Sequence, residues 1–208
     1  MVARFIAFEG GEGSGKSTQA ALLAERLGAV LTREPGGTDL GWRLRAVLLD
    51  PEAGIRHELD HRAEALLMAA DRAQHISEVV RPALAAGRWV VSDRSLASSL
   101  AYQGYGRGLP LDELVTLSHW ASQGLWPDLF VLLDVPAEVA GARVGHSPDR
   151  MERAGVDFHA RVREGYRHLA DADATRWVVV DGAGDEADVA ARVAAAVREH
   201  LGDERSRE

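Results

Sequence analysis

Residues 10–17, Gly10-Gly11-Glu12-Gly13-Ser14-Gly15-Lys16-Ser17, follow a short apolar run and satisfy the pattern G-x-x-x-x-G-K-[ST]. Closely spaced glycines let successive backbone N–H groups converge on phosphate oxygens, and a helix opening near Lys16 adds its positive dipole end. In such a loop Lys16 reaches the β- and γ-phosphates, the Ser17 hydroxyl ligates Mg²⁺, and Thr18 carries the ATP-binding loop into the helix. The other 23 basic side chains are arginine, so Lys16 is the one lysine of the 208-residue chain. An Ala- and Arg-rich composition removes lysines everywhere without functional cause; where the remaining one sits is the informative fact. A second constellation is Val90-Val91-Ser92-Asp93-Arg94. An acid at a strand end can hold the Mg²⁺ shell, and the next arginine can clamp a phosphate bidentately. Asp134, which ends Leu129 to Asp134, competes for the metal role; Asp93 is preferred because Arg94 stands beside it.

These residues need a scaffold that brings strand ends together. Apolar runs of strand length alternate with longer helical patterns, the signature of βαβ units around a parallel sheet. Strands are predicted at Phe5 to Phe8, Ala29 to Thr32, Trp89 to Ser92, Leu129 to Asp134 and Trp177 to Val180. Helices are predicted at Ser17 to Leu27, Leu40 to Leu49, Glu58 to Ala86, Leu111 to Gln123, Ala137 to Arg143, Phe158 to Ala172 and Glu186 to Leu201. The fold class is α/β, a doubly wound five-stranded parallel sheet with helices on both faces and its site beyond the carboxyl ends of the strands. One domain over residues 1–201 and a polar C-terminal tail at 202–208 account for the chain.

Composition narrows the function further. A protein kinase carries a phosphate-pairing lysine on a strand apart from its glycine-rich loop. A GTPase that reads guanine with an Asn-Lys-x-Asp loop also needs a second lysine, and this chain has none. With no cysteine, disulfides, thiolate metal sites and thiol nucleophiles are excluded, which fits a reducing compartment. A net charge of −8 argues against broad duplex nucleic-acid binding. The N-terminal apolar run is too short for a secretory signal, and no apolar stretch reaches the roughly 18 residues of a membrane span. The expectation is a cytoplasmic protein.

Four further motifs follow in order: Arg33-Glu34-Pro35-Gly36-Gly37-Thr38, Ala70-Asp71-Arg72, Tyr102-Gln103-Gly104 and Asp149-Arg150-Met151-Glu152. Joined to the phosphate loop and Asp93-Arg94, the set resembles the bacterial type of thymidylate kinase, from Phe5 to about Ala170. The resemblance implies a P-loop nucleoside monophosphate kinase fold with a short lid near residues 143–156. It also implies transfer of the ATP γ-phosphoryl group to dTMP with Mg²⁺, in dTTP biosynthesis, by a homodimer. Carried over by position, Arg94 holds the dTMP phosphate, Arg72 the thymine edge, and Ser99 a polar contact to the base. Glu12 and Glu152 match acids at the sugar 3′-hydroxyl and the metal-water network. Tyr102 crowds the place of a ribose 2′-hydroxyl, Gln103 belongs to the same acceptor motif, and Arg33, Glu34 and Pro35 shape the acceptor loop. Because Gly13-Ser14 brings no arginine into the phosphate loop, Arg143, Arg150 and Arg153 of the lid are the candidates to neutralise the transferring group.

The chain departs from the family pattern twice. Met68 stands where a phenylalanine stacks on thymine, and a thioether can still contact a π-face. Ser95 replaces an aromatic residue, so Asp93-Arg94-Ser95 resembles the Glu-Arg-Ser of deoxynucleoside kinases, the alternative reading. Those enzymes phosphorylate a neutral 5′-hydroxyl and need an acid as base, whereas an acceptor phosphate with a second pKa of about 6 needs none. His75, His119 and His146 are accordingly expected to be packing or surface residues.

Overall fold

The computed structural model describes residues 2–51, 59–143 and 149–202. Five strands, β1 (Phe5–Glu9), β2 (Val30–Arg33), β3 (Val90–Asp93), β4 (Leu129–Asp134) and β5 (Trp177–Asp181), form one sheet in the order β2-β3-β1-β4-β5. Every neighbouring pair is parallel. β1 and β4 read as nearly continuous apolar runs because helices cover both faces. One face packs Phe130, Leu132, Phe158, Tyr166 and Trp177 together. The other packs Ile6, Phe8, Val131, Leu133, Val189 and Val193. The order reverses direction at β1, with β3 on one side and β4 on the other, which opens a crevice at the strand ends.

The helices are α1 (Lys16–Leu27), α2 (Asp39–Leu49), α3 (His61–His75), α4 (Arg81–Ala85), α5 (Leu96–Ser99), α6 (Leu111–Ser122), α7 (Ala137–Arg143), α8 (Val156–Ala172) and α9 (Glu186–Leu201). Side-chain caps start several of them: Thr38 accepts from Gly41 N, Asp60 from Arg62 N and Ala63 N, and Asp185 from Asp188 N. The helix expected over Glu58 to Ala86 is one rod from His61 to Ala85, with a π-helical stretch at Ile76–Val80 joining α3 to α4. Pro82 follows that stretch; proline cannot donate to an α-helical ladder, and the wider turn lets the rod continue. Glu58, residues 144–148 of the expected lid (with His146) and residues 203–208 of the expected tail lie outside the described residues.

One element has no counterpart in the sequence reading. α5 runs into a second π-helical stretch, Leu100–Gly106, and nearly every side chain from Leu96 to Gly106 is buried. Buried all round and interrupted by Gly104 and Gly106, the segment shows no amphipathic period to detect. α8 packs closely on it: a methyl at Gly165 would sit 2.5 Å from the Tyr105 ring, and one at Gly106 2.6 Å from Phe158. Among the described residues no helix is long and apolar enough to cross a membrane.

Gly165→Ala should overpack this contact, costing about 1–3 kcal/mol. At about 2–4 °C per kcal/mol for a chain of this size, thermal unfolding should show a clear drop in Tm.

Candidate active site

The donor side is built where β1 turns into α1. Gly13 adopts φ 70°, and a Cβ there would run into the Ala140 carbonyl, so α7 rests directly on the loop. Lys16 is buried and curls over its own loop, donating to Gly11 O at 2.7 Å and Ser14 Oγ at 3.3 Å. Burial lowers its pKa to about 8, and Arg94 pushes the same way against Glu12, Asp93 and Glu9. Ser17 Oγ donates to Asp93 Oδ2 at 2.5 Å, and Arg33 reaches the same oxygen at 3.5 Å. Burial opposes ionisation of Asp93, but Lys16 and Arg94 outweigh it and hold the carboxyl below its usual range. Its Oδ1 is buried with no hydrogen-bond partner. Asp134, the competing acid, is engaged elsewhere, by Arg163 at 2.9 Å and Arg167 at 2.6 Å.

The acceptor side is a cleft reaching from Ser17 and Asp93 past Arg94 to Arg72. Arg94 sits at the end of β3 with φ 74°, a left-handed conformation that turns its side chain back over the mouth of β1. Its guanidinium pairs with Glu12 and donates to Tyr102 OH at 3.2 Å, Gly10 O at 3.2 Å, and Ser98 Oγ and Tyr166 OH at 3.3 Å each. It also lies 5.0 Å from the Tyr102 ring centroid. Burial alone would raise Glu12, but Arg94 and Lys16 hold its pKa down to about 2.

At the far end of the cleft Arg72 is buried and fixed on three sides. Nε donates to Glu34 at 2.9 Å, one terminal nitrogen to Ser99 at 3.0 Å and the other to Ser118 at 3.3 Å. Glu34, at the start of the cis Glu34–Pro35 bond, is held in turn by His75 at 2.8 Å, and the other ring nitrogen of His75 meets Thr32 Oγ1 at 2.8 Å. Burial works against the Glu34 charge, yet Arg72 and His75 keep its pKa below the usual value. His75 is thus more than packing, since it links β2, α3 and the loop after β2. Pro35, Leu49, Met68 and Met151 supply the apolar wall between the two arginines.

Most of the expected acceptor residues converge on this cleft: Glu12, Arg33, Glu34, Pro35, Met68, Arg72, Arg94, Ser99, Tyr102 and Gln103 all line it. The Gln103 amide nitrogen is committed to Glu64 at 2.9 Å. Glu152 is placed elsewhere: its carboxylate accepts from Asp149 N at 2.7 Å and faces a neighbouring, mainly apolar cavity, while Asp149 and Met151 border the cleft. Of the lid candidates, Arg143 donates to Gly182 O at 3.0 Å and Gly184 O at 3.1 Å, and its guanidinium would lie 3.9 Å from a Cβ placed on Gly15 of the phosphate loop. Arg150 adjoins the cleft-lining Asp149 and Met151, and Arg153 is exposed on the short turn Glu152–Ala154.

Three residues of the site had no role assigned from sequence, Asp71 only being part of the motif Ala70-Asp71-Arg72. Arg45 of α2 lines the cleft and donates to Pro35 O at 3.2 Å. Its place on an exposed-looking helix gave no signal. Asp71 accepts from Gly36 N at 3.0 Å, and burial together with Glu34 raises its pKa to about 6. Glu9 ends β1, wholly buried, and its pKa is pushed up to about 7 by burial. A charged residue closing an apolar strand immediately before a phosphate loop was the available clue.

The family model for thymidylate kinase matches residues 8–193. A thymidylate kinase of Synechococcus sp. (strain JA-2-3B'a(2-13)) is 50% identical over 204 residues, covering 95% of each chain. That of Leifsonia xyli subsp. xyli (strain CTCB07) is 50% identical over 197 residues, covering 91% of each. The crystal structure of thymidylate kinase from Ehrlichia chaffeensis superposes with a TM-score of 0.78 at 30% identity, over 95% of this chain and 100% of that one. With its phosphate loop, its β3 arginine and its buried Arg72 arranged as described, the chain belongs to the thymidylate kinase family.

Proposed function

We infer that this chain transfers the γ-phosphoryl group of ATP to dTMP, producing ADP and dTDP. The observation that carries this reading is the pair of cationic stations at adjacent strand ends: the Lys16 loop after β1 for a triphosphate, and Arg94 after β3 for an acceptor phosphate. Arg72 stands at the far end of the same cleft with terminal N–H groups for a base edge, and Met68 lies on the wall between them. No general base is required, because the acceptor phosphate is already largely dianionic at neutral pH. Two of the cleft acids from which the deoxynucleoside-kinase alternative would need a base are engaged: Glu12 by Arg94, Glu34 by Arg72 and His75.

Ser17 and Asp93 fit a Mg²⁺ site. They are hard oxygen donors side by side, and the buried Asp93 Oδ1 lacks a partner in the protein. Ser17 and Asp93 would hold Mg²⁺ there, and its charge would help neutralise the phosphates. Lys16, Arg94 and a lid arginine, Arg143, Arg150 or Arg153, then hold the charge that spreads over the transferring oxygens. Arg143 lies beside Gly15 of the phosphate loop and also steadies the turn after β5. A cysteine-free chain working on ATP and dTMP fits the cytoplasm.

The homodimer reading has support on α3. Leu66, Ala70, Ala73 and Ser77 fall at intervals of three and four, an uncharged stripe on the side away from the buried Ala65, Ala69 and Arg72. Leu66 is 58% exposed, and Trp120 on the neighbouring α6 is 77% exposed. A second copy would bury both.

ADP release with ATP-Mg²⁺ should be fastest on dTMP among dTMP, dUMP, thymidine, dCMP, AMP and GMP; best turnover on thymidine would overturn the assignment. In the same assay Met68→Ala should raise the dTMP KM about tenfold, a loss of about 1.4 kcal/mol, and leave the ATP KM in place. Asp93→Asn should raise the Mg²⁺ concentration needed for half-maximal rate by about 10–100-fold, read from a Mg²⁺ titration at fixed ATP. Light scattering should give twice the chain mass for the wild type and the single-chain mass for Leu66→Glu.

A further inference from the structure

Arg94 is a buried guanidinium whose ion-pair partner, Glu12, is itself expected to meet the acceptor sugar. Something else must hold the arginine when substrate occupies the cleft. Beside it lie two hydroxyls, Ser98 Oγ from α5, which borders the cleft, and Tyr166 OH from α8, which borders the neighbouring cavity, each accepting from the same Arg94 nitrogen at 3.3 Å. Both hydroxyls also meet Glu9 Oε2, Ser98 at 2.6 Å and Tyr166 at 3.1 Å, and they lie 2.8 Å from each other. The other carboxylate oxygen accepts from Ser95 N and Ser95 Oγ, each at 2.9 Å. Glu9 is 0% exposed and does not line the cleft.

We propose that Glu9 is a positioning residue for the acceptor clamp: its carboxylate fixes which way the Ser98 and Tyr166 hydroxyls donate, and so keeps their lone pairs turned toward Arg94. A hydroxyl has one proton, and above the raised Glu9 pKa of about 7 the ionised carboxylate can only accept. With Ser98 donating to Glu9, and Tyr166 sharing its proton between Glu9 and Ser98, both oxygens present acceptors to the Arg94 N–H. An amide in place of the carboxylate would put an NH₂ group at Oε2 or at Oε1. At Oε2 it donates to the hydroxyls and competes with Arg94 for their lone pairs. At Oε1 it opposes Ser95 N–H, a donor that cannot reverse, and a buried N–H left unsatisfied costs about 1–3 kcal/mol. Ser95 gains a purpose here: its hydroxyl gives Glu9 a further donor beside the left-handed turn of Arg94.

The proposal rests on the dTMP kinase reading, and the experiment separates the two. ADP release by the wild type on dTMP tests that reading; its absence defeats both. Given wild-type turnover, Glu9→Gln should raise the dTMP KM about tenfold with the ATP KM within twofold, measured at about pH 8.5, where Glu9 is ionised. A role confined to folding would instead lower Tm and disturb both substrates together. Combining Glu9→Gln with Ser98→Ala should cost no more than the worse single variant, since the misdirected hydroxyl is gone. An unchanged dTMP KM in folded Glu9→Gln, equal effects on the two substrates, or fully multiplicative losses in the double variant would overturn the proposal while leaving the kinase reading intact. Should Glu9→Gln fail to fold, Tyr166→Phe removes one relay hydroxyl and leaves Glu9 in place. It should raise the dTMP KM about threefold, and an unaltered value defeats the idea.

Discussion

A guanidinium taken out of water must find acceptors for its N–H groups, and much of this molecule is organised around doing that for Arg94. The residue occupies a left-handed backbone conformation that an L side chain adopts at a cost. What holds it there is a shell drawn from four places: Glu12 and the Gly10 carbonyl in the phosphate loop, Ser98 on α5, Tyr102 in the π-helical stretch and Tyr166 on α8. These elements are far apart in sequence, so the clamp exists only when the sheet and its covering helices are assembled. The same convergence explains the tight approach of α8, with Gly165 beneath Tyr105, since a wider spacing would carry Tyr166 out of reach.

Arg72 shows the same principle with a different solution. It is buried more deeply than Arg94, and it is neutralised by one carboxylate, Glu34, that is itself shared with His75. Pairing a buried charge this way costs desolvation that the pair alone repays poorly. What it supplies is a guanidinium in one orientation, held by Ser99 and Ser118 as well, facing the part of the cleft where a flat heterocycle would lie. The two arginines therefore differ in kind: Arg94 is a charge held ready for an anion, and Arg72 is a set of donors held in a plane.

The phosphate loop was readable because its chemistry demands residues at fixed spacing within one stretch of chain. β4 and α9 match their predicted limits because each is bounded by a clear change of pattern. Arg94 was legible as a phosphate clamp from its place after a strand-end acid, whereas Arg72 and Tyr102 were named only through the resemblance, for the contacts that define them come from distant segments. The segment from Leu96 to Gly106 carries much of the acceptor wall and was invisible as a helix, because burial on every side erases the polar-apolar period. Glu9 and Arg45 went unread, and Asp71 had no role of its own within its motif, for a related reason. A lone charged residue in an apolar strand or on a helix acquires meaning only from what tertiary structure places opposite it, as Ser95 and Ser98 do for Glu9.

The parallel pairing of β1 with β3 has a consequence for what the cleft can admit. Phe8 is in register with Asp93, so the donor loop and Arg94 leave the sheet from neighbouring rows of one hydrogen-bonded ladder. Their separation is set by the strand spacing, about 4.8 Å, and by where each chain turns. The peptide backbone itself is thus a ruler laid between the two nucleotides. Wall residues such as Met68 or Tyr102 can be exchanged to admit another base or sugar, but none of them can lengthen that ruler, so the reach between the giving and the receiving phosphate is a property of the fold.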